Sequence, residues 1–98
     1  MEKKDYQKKL EKILDDFSAK SNAVKEKFET SGSATREKIQ KEIDELETRR
    51  IAAQNRLQEI RTASSESWSL LKGGADRALD DLKFAYEKAV TRMKQIGG

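Results

Sequence analysis

The fold is decided by residues 62–71, TASSESWSLL, where three serines precede the only tryptophan of the chain. Ser64 or Ser65 is a favourable helix N-cap, because a serine hydroxyl accepts a hydrogen bond from the free backbone N–H groups of a first turn. Glu66 then falls in that turn, where the helix dipole favours an acid. We therefore predict that one helix ends before this stretch, that another begins within it, and that Trp68 anchors the joint.

On both sides of this joint, apolar or small residues recur once per helical turn, and no proline interrupts them. Spacings of three and four residues are typical of helices that bury one stripe against another helix. The three runs are Tyr6, Leu10, Ile13, Phe17, Val24, Phe28; then Ile39, Ile43, Leu46, Ala53, Leu57, Ile60; then Trp68, Leu71, Ala75, Leu79, Leu82, Tyr86, Ala89, Met93, Ile96. The pattern predicts a single all-α domain of antiparallel coiled-coil helices.

A second candidate break lies at residues 30–33, TSGS, where residues that favour caps and turns surround one glycine. If both sites break, helices over 4–30, 34–62 and 66–95 would form a three-helix bundle. If the chain breaks only at residues 62–71, residues 4–62 would form one continuous helix. Such a helix would pair with the last helix as a helical hairpin, and its unpaired half would need another chain to cover it. Gly73 and Gly74 each cost about 1 kcal/mol in a helix interior, so we expect a close helix approach or a bend there.

Composition excludes much of the chemistry that proteins perform. The chain has no cysteine and no histidine, which removes thiolate chemistry, disulfides, the usual general base and the usual transition-metal ligand. We predict a protein that is not an enzyme and that needs no metal or cofactor. The charged N-terminus and the lack of a long apolar run predict a cytoplasmic location.

The net charge of +3 is spread over the whole chain, with 40% of residues charged and both signs interspersed. Nucleic-acid binders concentrate positive charge on one stripe, so this distribution disfavours nucleic acid as a partner. Pairs of unlike charge four residues apart, such as Glu45 and Arg49, are expected to support exposed helix.

Two sets of residues are candidates for contacts with other molecules. Leu70 and Phe84 lie two heptads apart and point away from Trp68, so they form a second apolar face that a third helix, a partner chain or a lipid surface would cover. The predicted interaction residues are Trp68, Leu70, Leu71, Leu79, Leu82, Tyr86 and Phe84. The densest basic cluster is Arg49, Arg50, Arg56 and Arg61. Because acids surround this cluster, it is either a salt-bridged surface or a contact site for anions.

Three segments resemble a family of small bacterial coiled-coil proteins connected with stress responses. The segments are residues 1–17, MEKKDYQKKLEKILDDF; residues 38–61, KIQKEIDELETRRIAAQNRLQEIR; and residues 67–89, SWSLLKGGADRALDDLKFAYEKA. Phe17 stands where that family often has tryptophan. Residues 30–33 favour helix less than the alanine-rich, continuous first helix of that family does. The resemblance implies a non-enzymatic helical protein linked to stress or high light. It brings no established activity and no catalytic residues.

The leading function predicted from these features is a helical protein–protein interaction module that self-associates. The alternative is an amphipathic, apolipoprotein-like protein that binds lipid or membrane surfaces through residues 66–96. The mixed charge of its polar face counts against strong attraction to anionic lipid.

Overall fold

The computed structural model describes residues 2–97, which form three helices: α1 (Lys3–Glu29), α2 (Ser33–Thr62) and α3 (Trp68–Gly97). The helices pack side by side into a bundle of 51 × 17 × 17 Å with a radius of gyration of 15.5 Å. The all-α prediction is confirmed, and of its two variants the structure is the three-helix bundle. Within the described residues, no helix combines the length and the apolar character that a membrane crossing requires.

The joint between α2 and α3 lies at the predicted serines, but α3 begins at Trp68, so the prediction that Glu66 falls in the first turn of that helix is wrong. The Ser64 hydroxyl accepts a hydrogen bond from the backbone N–H of Ser67 at 3.1 Å, and the Ser64 carbonyl accepts one from the N–H of Trp68 at 3.1 Å. The first turn of α1 closes this joint, because Lys3 Nζ donates to the carbonyls of Arg61 and Ala63 at the end of α2. The Lys3 ammonium thereby satisfies carbonyls that a helix C-terminus leaves free.

Residues 30–32 form a turn, so α1 and α2 are separate helices and not one continuous helix. The Ser31 hydroxyl donates to the Lys27 carbonyl at 2.7 Å, which occupies a backbone acceptor at the end of α1. Gly32 is extended, with φ −64° and ψ 158°, and its carbonyl accepts the first backbone hydrogen bond of α2, from Arg36. Because of this short turn, α2 runs back along α1 and packs against it. The unpaired half of a long helix that the hairpin alternative would leave is therefore not present among the described residues.

The core follows the predicted stripes most closely in α2, where all six apolar positions are buried. In α1 and α3, residues next to the predicted stripes are buried as well. Leu14 and Ala85 are buried although neither belongs to a predicted run. The largest fully buried side chains are Leu10, Ile39, Ile60 and Leu82.

Ion pairs between helices fix the antiparallel arrangement. On the α1–α2 side, Glu11 pairs with Arg61 and Lys25 with Glu47, so the start of α1 lies beside the end of α2. The α2–α3 pairs are Glu42–Arg92, Glu45–Lys88 and Arg49–Asp81. The expected pair within α2 is not formed, because Glu45 and Arg49 each turn to a charge on α3.

Helix α3 runs without interruption through the adjacent glycines. A Cβ atom added at Gly73 would meet nothing within 4 Å, and one added at Gly74 would lie 3.6 Å from the guanidinium carbon of Arg56. The expected close approach of a helix backbone is therefore wrong, since solvent and the end of a long side chain occupy the space.

Candidate interaction surfaces

The seven predicted interaction residues divide between the core and the surface. Five of them, Trp68, Leu71, Leu79, Leu82 and Tyr86, pack in or against the core. Their apolar atoms already contact other helices, so each of them is less exposed than Leu70 or Phe84. The remaining two are large exposed apolar side chains: Leu70 is 84% exposed and Phe84 is 65% exposed.

Leu70 and Phe84 belong to a stripe on the solvent side of α3, which we call the outer stripe: Leu70, Gly73, Arg77, Asp80 and Phe84. All five residues are exposed, and alternating steps of three and four residues place them on one face of the helix. The two apolar side chains are about 21 Å apart along the helix axis. Between them lie two opposite charges that form no ion pair with any residue in 2–97.

A third exposed apolar side chain, Ile51 on α2, is 49% exposed and was not predicted. Its position falls outside the α2 stripe, between Leu46 and Ala53. It has no large apolar companion among the exposed residues of α2, so it is an isolated feature that serves as a natural control for the outer stripe.

Each arginine of the basic cluster has an acidic partner. The pairs are Arg49–Asp81 at 3.7 Å, Arg50–Glu47 at 2.8 Å, Arg56–Glu59 at 3.3 Å and Arg61–Glu11 at 3.1 Å. The hydrogen bond from Arg50 is the main reason that the pKa of Glu47 lies below its ordinary value. This arrangement favours the salt-bridged surface over a contact site for anions.

Tyr6 forms a polar contact between α1 and α3 that the apolar pattern did not indicate. Its hydroxyl donates to Asp76 Oδ1 at 2.5 Å and also lies 3.3 Å from the Lys72 carbonyl oxygen. The Tyr6 ring packs against Trp68 with 5.6 Å between the ring centroids. Burial, and then the hydrogen bond to the Asp76 carboxylate, raise the pKa of Tyr6. A phenol that stays protonated holds the helices together as a donor and is a poor general base.

An open groove of about 710 Å³ lies between α1 and α3, beside the turn that leads into α2. Its lining residues are Lys20, Ala23, Val24, Lys27, Thr30, Ser31, Thr35, Tyr86, Val90, Met93 and Lys94. We call this the lysine groove. Lys20 Nζ lies 5.3 Å from the Phe17 ring centroid and 6.0 Å from that of Tyr86. The groove was not predictable from the sequence, because its walls come from segments far apart in the chain.

The stripe of α1 contains one buried polar residue. Between Phe17 and Val24 it holds Ser21 in place of a large apolar residue. Ser21 is buried, its hydroxyl has no hydrogen-bond partner among the described residues, and it does not line the lysine groove.

The described part of the chain contains no group of three or more acidic, histidine or cysteine side chains that could hold a metal ion. No known protein family, curated protein or solved structure matches the chain.

Proposed function

We propose that this protein is a non-enzymatic interaction module that self-associates through the outer stripe of α3. The observation that supports the proposal is the exposure of Leu70 and Phe84 on one face, when the other large apolar residues of α3 are wholly or partly covered by the bundle. Covering a large apolar side chain is worth about 1.5–3 kcal/mol. A second copy of the chain can supply such cover.

The outer stripe is complementary to itself when two copies of α3 run antiparallel. A twofold axis midway between Arg77 and Asp80 brings Arg77 of each copy opposite Asp80 of the other. Gly73 lies four residues before Arg77, and Phe84 lies four residues after Asp80, so the same axis sets each Phe84 ring over Gly73 of the second copy. A Cβ position at Gly73 meets nothing within its own chain, which leaves room for the ring.

This pairing predicts a weak dimer. Four large side chains would contribute at most about 6–12 kcal/mol by burial, because this axis sets each Leu70 opposite Glu87 of the second copy. The loss of translational and rotational freedom costs about 4–15 kcal/mol. The charge pairs at the centre add little, because exposed ion pairs are worth about 0–1 kcal/mol. The most favourable balance, about 8 kcal/mol, corresponds to a dissociation constant of about 1 μM, so we expect a constant of about 1 μM or weaker and association between about 1 μM and 1 mM.

Sedimentation equilibrium over that concentration range tests the proposal. The double variant Leu70→Lys/Phe84→Lys should remain monomeric at every concentration, with the helical circular dichroism of the parent chain. Ile51→Lys is the control, because it places a lysine on an exposed apolar position outside the stripe and should not change the mass. A double variant with the parent's mass would contradict the proposal.

Charge reversal tests the antiparallel alignment separately. Arg77→Asp and Asp80→Arg should each weaken the homodimer, since each places like charges opposite one another. A mixture of the two variants should form a heterodimer, because the reversed aspartate then faces the reversed arginine. If the mixture associates no better than either variant alone, the alignment is wrong, even where the Leu70/Phe84 variant shows that the stripe itself is used.

Binding to lipid surfaces stays the alternative proposal, and the connection with stress responses stays a prediction from the resemblance. The apolar face of α3 is turned into the bundle, so lipid binding through that face requires the helices to separate. Flotation with liposomes checks this alternative: co-flotation by the Leu70→Lys/Phe84→Lys variant would show that lipid reaches the inner face, while a protein that stays unbound would reject it.

A further inference from the structure

We infer that the lysine groove binds a single-chain amphipathic carboxylate of the fatty-acid class, with the chain along Val24, Tyr86, Val90 and Met93 and the carboxylate among Lys20, Lys27 and Lys94. This site lies between α1 and α3 and shares no residue with the outer stripe. The inference is therefore independent of self-association, and either can fail without the other.

The floor of the groove is apolar and only partly covered by the bundle itself. Val24 is buried, whereas Tyr86, Val90 and Met93 are half-buried and line the open space. A volume of about 710 Å³ is within the range of natural ligand sites, about 300–1,000 Å³. The flexible, polarisable side chain of Met93 suits a floor that adapts to an alkyl chain.

The charge around the floor has one sign. Three lysines line the groove, and none of its described lining residues is acidic, although acids are frequent elsewhere in the chain. None of the three lysines forms an ion pair within residues 2–97. A carboxylate placed there gains charge-assisted hydrogen bonds, and the lysine stems extend the apolar wall beneath their charged ends.

The groove lies between two neighbouring helices, and one of its ends is polar. Thr30 and Ser31 of the turn and Thr35 of α2 line the end nearest the α1–α2 connection with hydroxyl groups. A ligand with one alkyl chain and one anionic head matches this arrangement of apolar floor and cationic rim.

The direct test is isothermal titration calorimetry of the full chain with dodecanoate below its micelle concentration. We expect saturable binding of one dodecanoate per chain. The triple variant Lys20→Glu/Lys27→Glu/Lys94→Glu should bind at least about tenfold more weakly, the loss expected for one charge-assisted hydrogen bond. The matched control is Lys4→Glu/Lys8→Glu/Lys12→Glu, which changes the net charge equally at exposed lysines outside the groove and should bind as the parent does.

Two further measurements keep the result clear if the triple variant is poorly folded. Ala23→Phe fills the groove from an exposed position and should abolish binding while thermal melting shows an intact bundle. Dodecyltrimethylammonium has the same chain with a positive head and should bind much more weakly than dodecanoate.

Several outcomes would overturn the inference. They are equal dodecanoate binding by the groove variant and the control variant, equal binding of the cationic detergent, and unfolding in place of saturable binding. Association with anionic phosphatidylglycerol vesicles without binding of monomeric dodecanoate would also overturn it, and would indicate a lipid-surface protein.

Discussion

Ser21 is a buried polar group whose removal should stabilise the protein. Its side chain is 3% exposed, and its hydroxyl has no hydrogen-bond partner among the described residues. Leaving a buried hydroxyl unpaired costs about 1–3 kcal/mol, and alanine exceeds serine in helix propensity by about 0.5 kcal/mol. The small gap left by the oxygen offsets part of this gain. We expect Ser21→Ala to raise the free energy of unfolding by about 1–2 kcal/mol.

Urea unfolding followed by circular dichroism measures this change, and thermal melting should show a rise of about 4–8 °C per kcal/mol. Ser18→Ala is the matched control, because Ser18 lies in the interior of the same helix but is only partly buried. The control should gain about 0.5 kcal/mol from helix propensity alone. If Ser21→Ala gains no more than Ser18→Ala, the hydroxyl is satisfied in solution and the reasoning is wrong.

Three further changes probe other contacts. Ser64→Ala removes the hydroxyl that accepts from the Ser67 N–H, and it should lower the free energy of unfolding, measured in urea, by about 1 kcal/mol. An unchanged free energy would mean that the joint does not depend on this hydrogen bond. Tyr6→Phe removes the hydrogen bond to Asp76 and should destabilise by about 1–2 kcal/mol. Because the pKa of Tyr6 is raised in the fold, its contribution is complete below the ordinary value near 10 and is lost as pH rises further. Above about pH 10 the free energy of unfolding should therefore fall more steeply with pH for the parent than for Tyr6→Phe. Parallel curves for the two proteins would contradict this. Gly73→Ala should stabilise the monomer by about 1 kcal/mol in thermal melts at low concentration, and destabilisation would show that its backbone needs glycine.

The helices were predictable because their signals are local. The α2 stripe repeats with one period, and every position that it marks is buried. The joint at Ser64 was predictable for the same reason, since the Ser64 hydroxyl accepts a hydrogen bond from an N–H group only three residues away. Leu14 and Ala85 were missed because each adjoins a residue of a predicted run, Ile13 and Tyr86, and helical spacing alone does not decide which of two neighbours faces the core.

The candidate sites were less predictable because they depend on which helix faces meet. The period of α3 placed Leu70 and Phe84 away from the core, and the structure leaves both of them exposed. The Tyr6–Asp76 hydrogen bond joins residues 70 positions apart. No local pattern indicates such a contact or the lysine groove, because both require the lateral position of α1 against α3.

The charges of the α2–α3 face specify how the helices align, whereas burial of the apolar stripe supplies most of the stabilising energy. Each exposed ion pair contributes only about 0–1 kcal/mol. The signs of the facing charges nevertheless disfavour alignments in which α3 is shifted along α2. Sliding α3 by one heptad in one direction would move Asp81 opposite Glu45, which now faces Lys88. Sliding it in the other direction would move Lys88 opposite Arg49, which now faces Asp81. Both shifts replace attraction by repulsion, although a heptad shift would keep the apolar stripes in contact. The ionic pattern thus selects one of several alignments that the apolar stripe alone would allow.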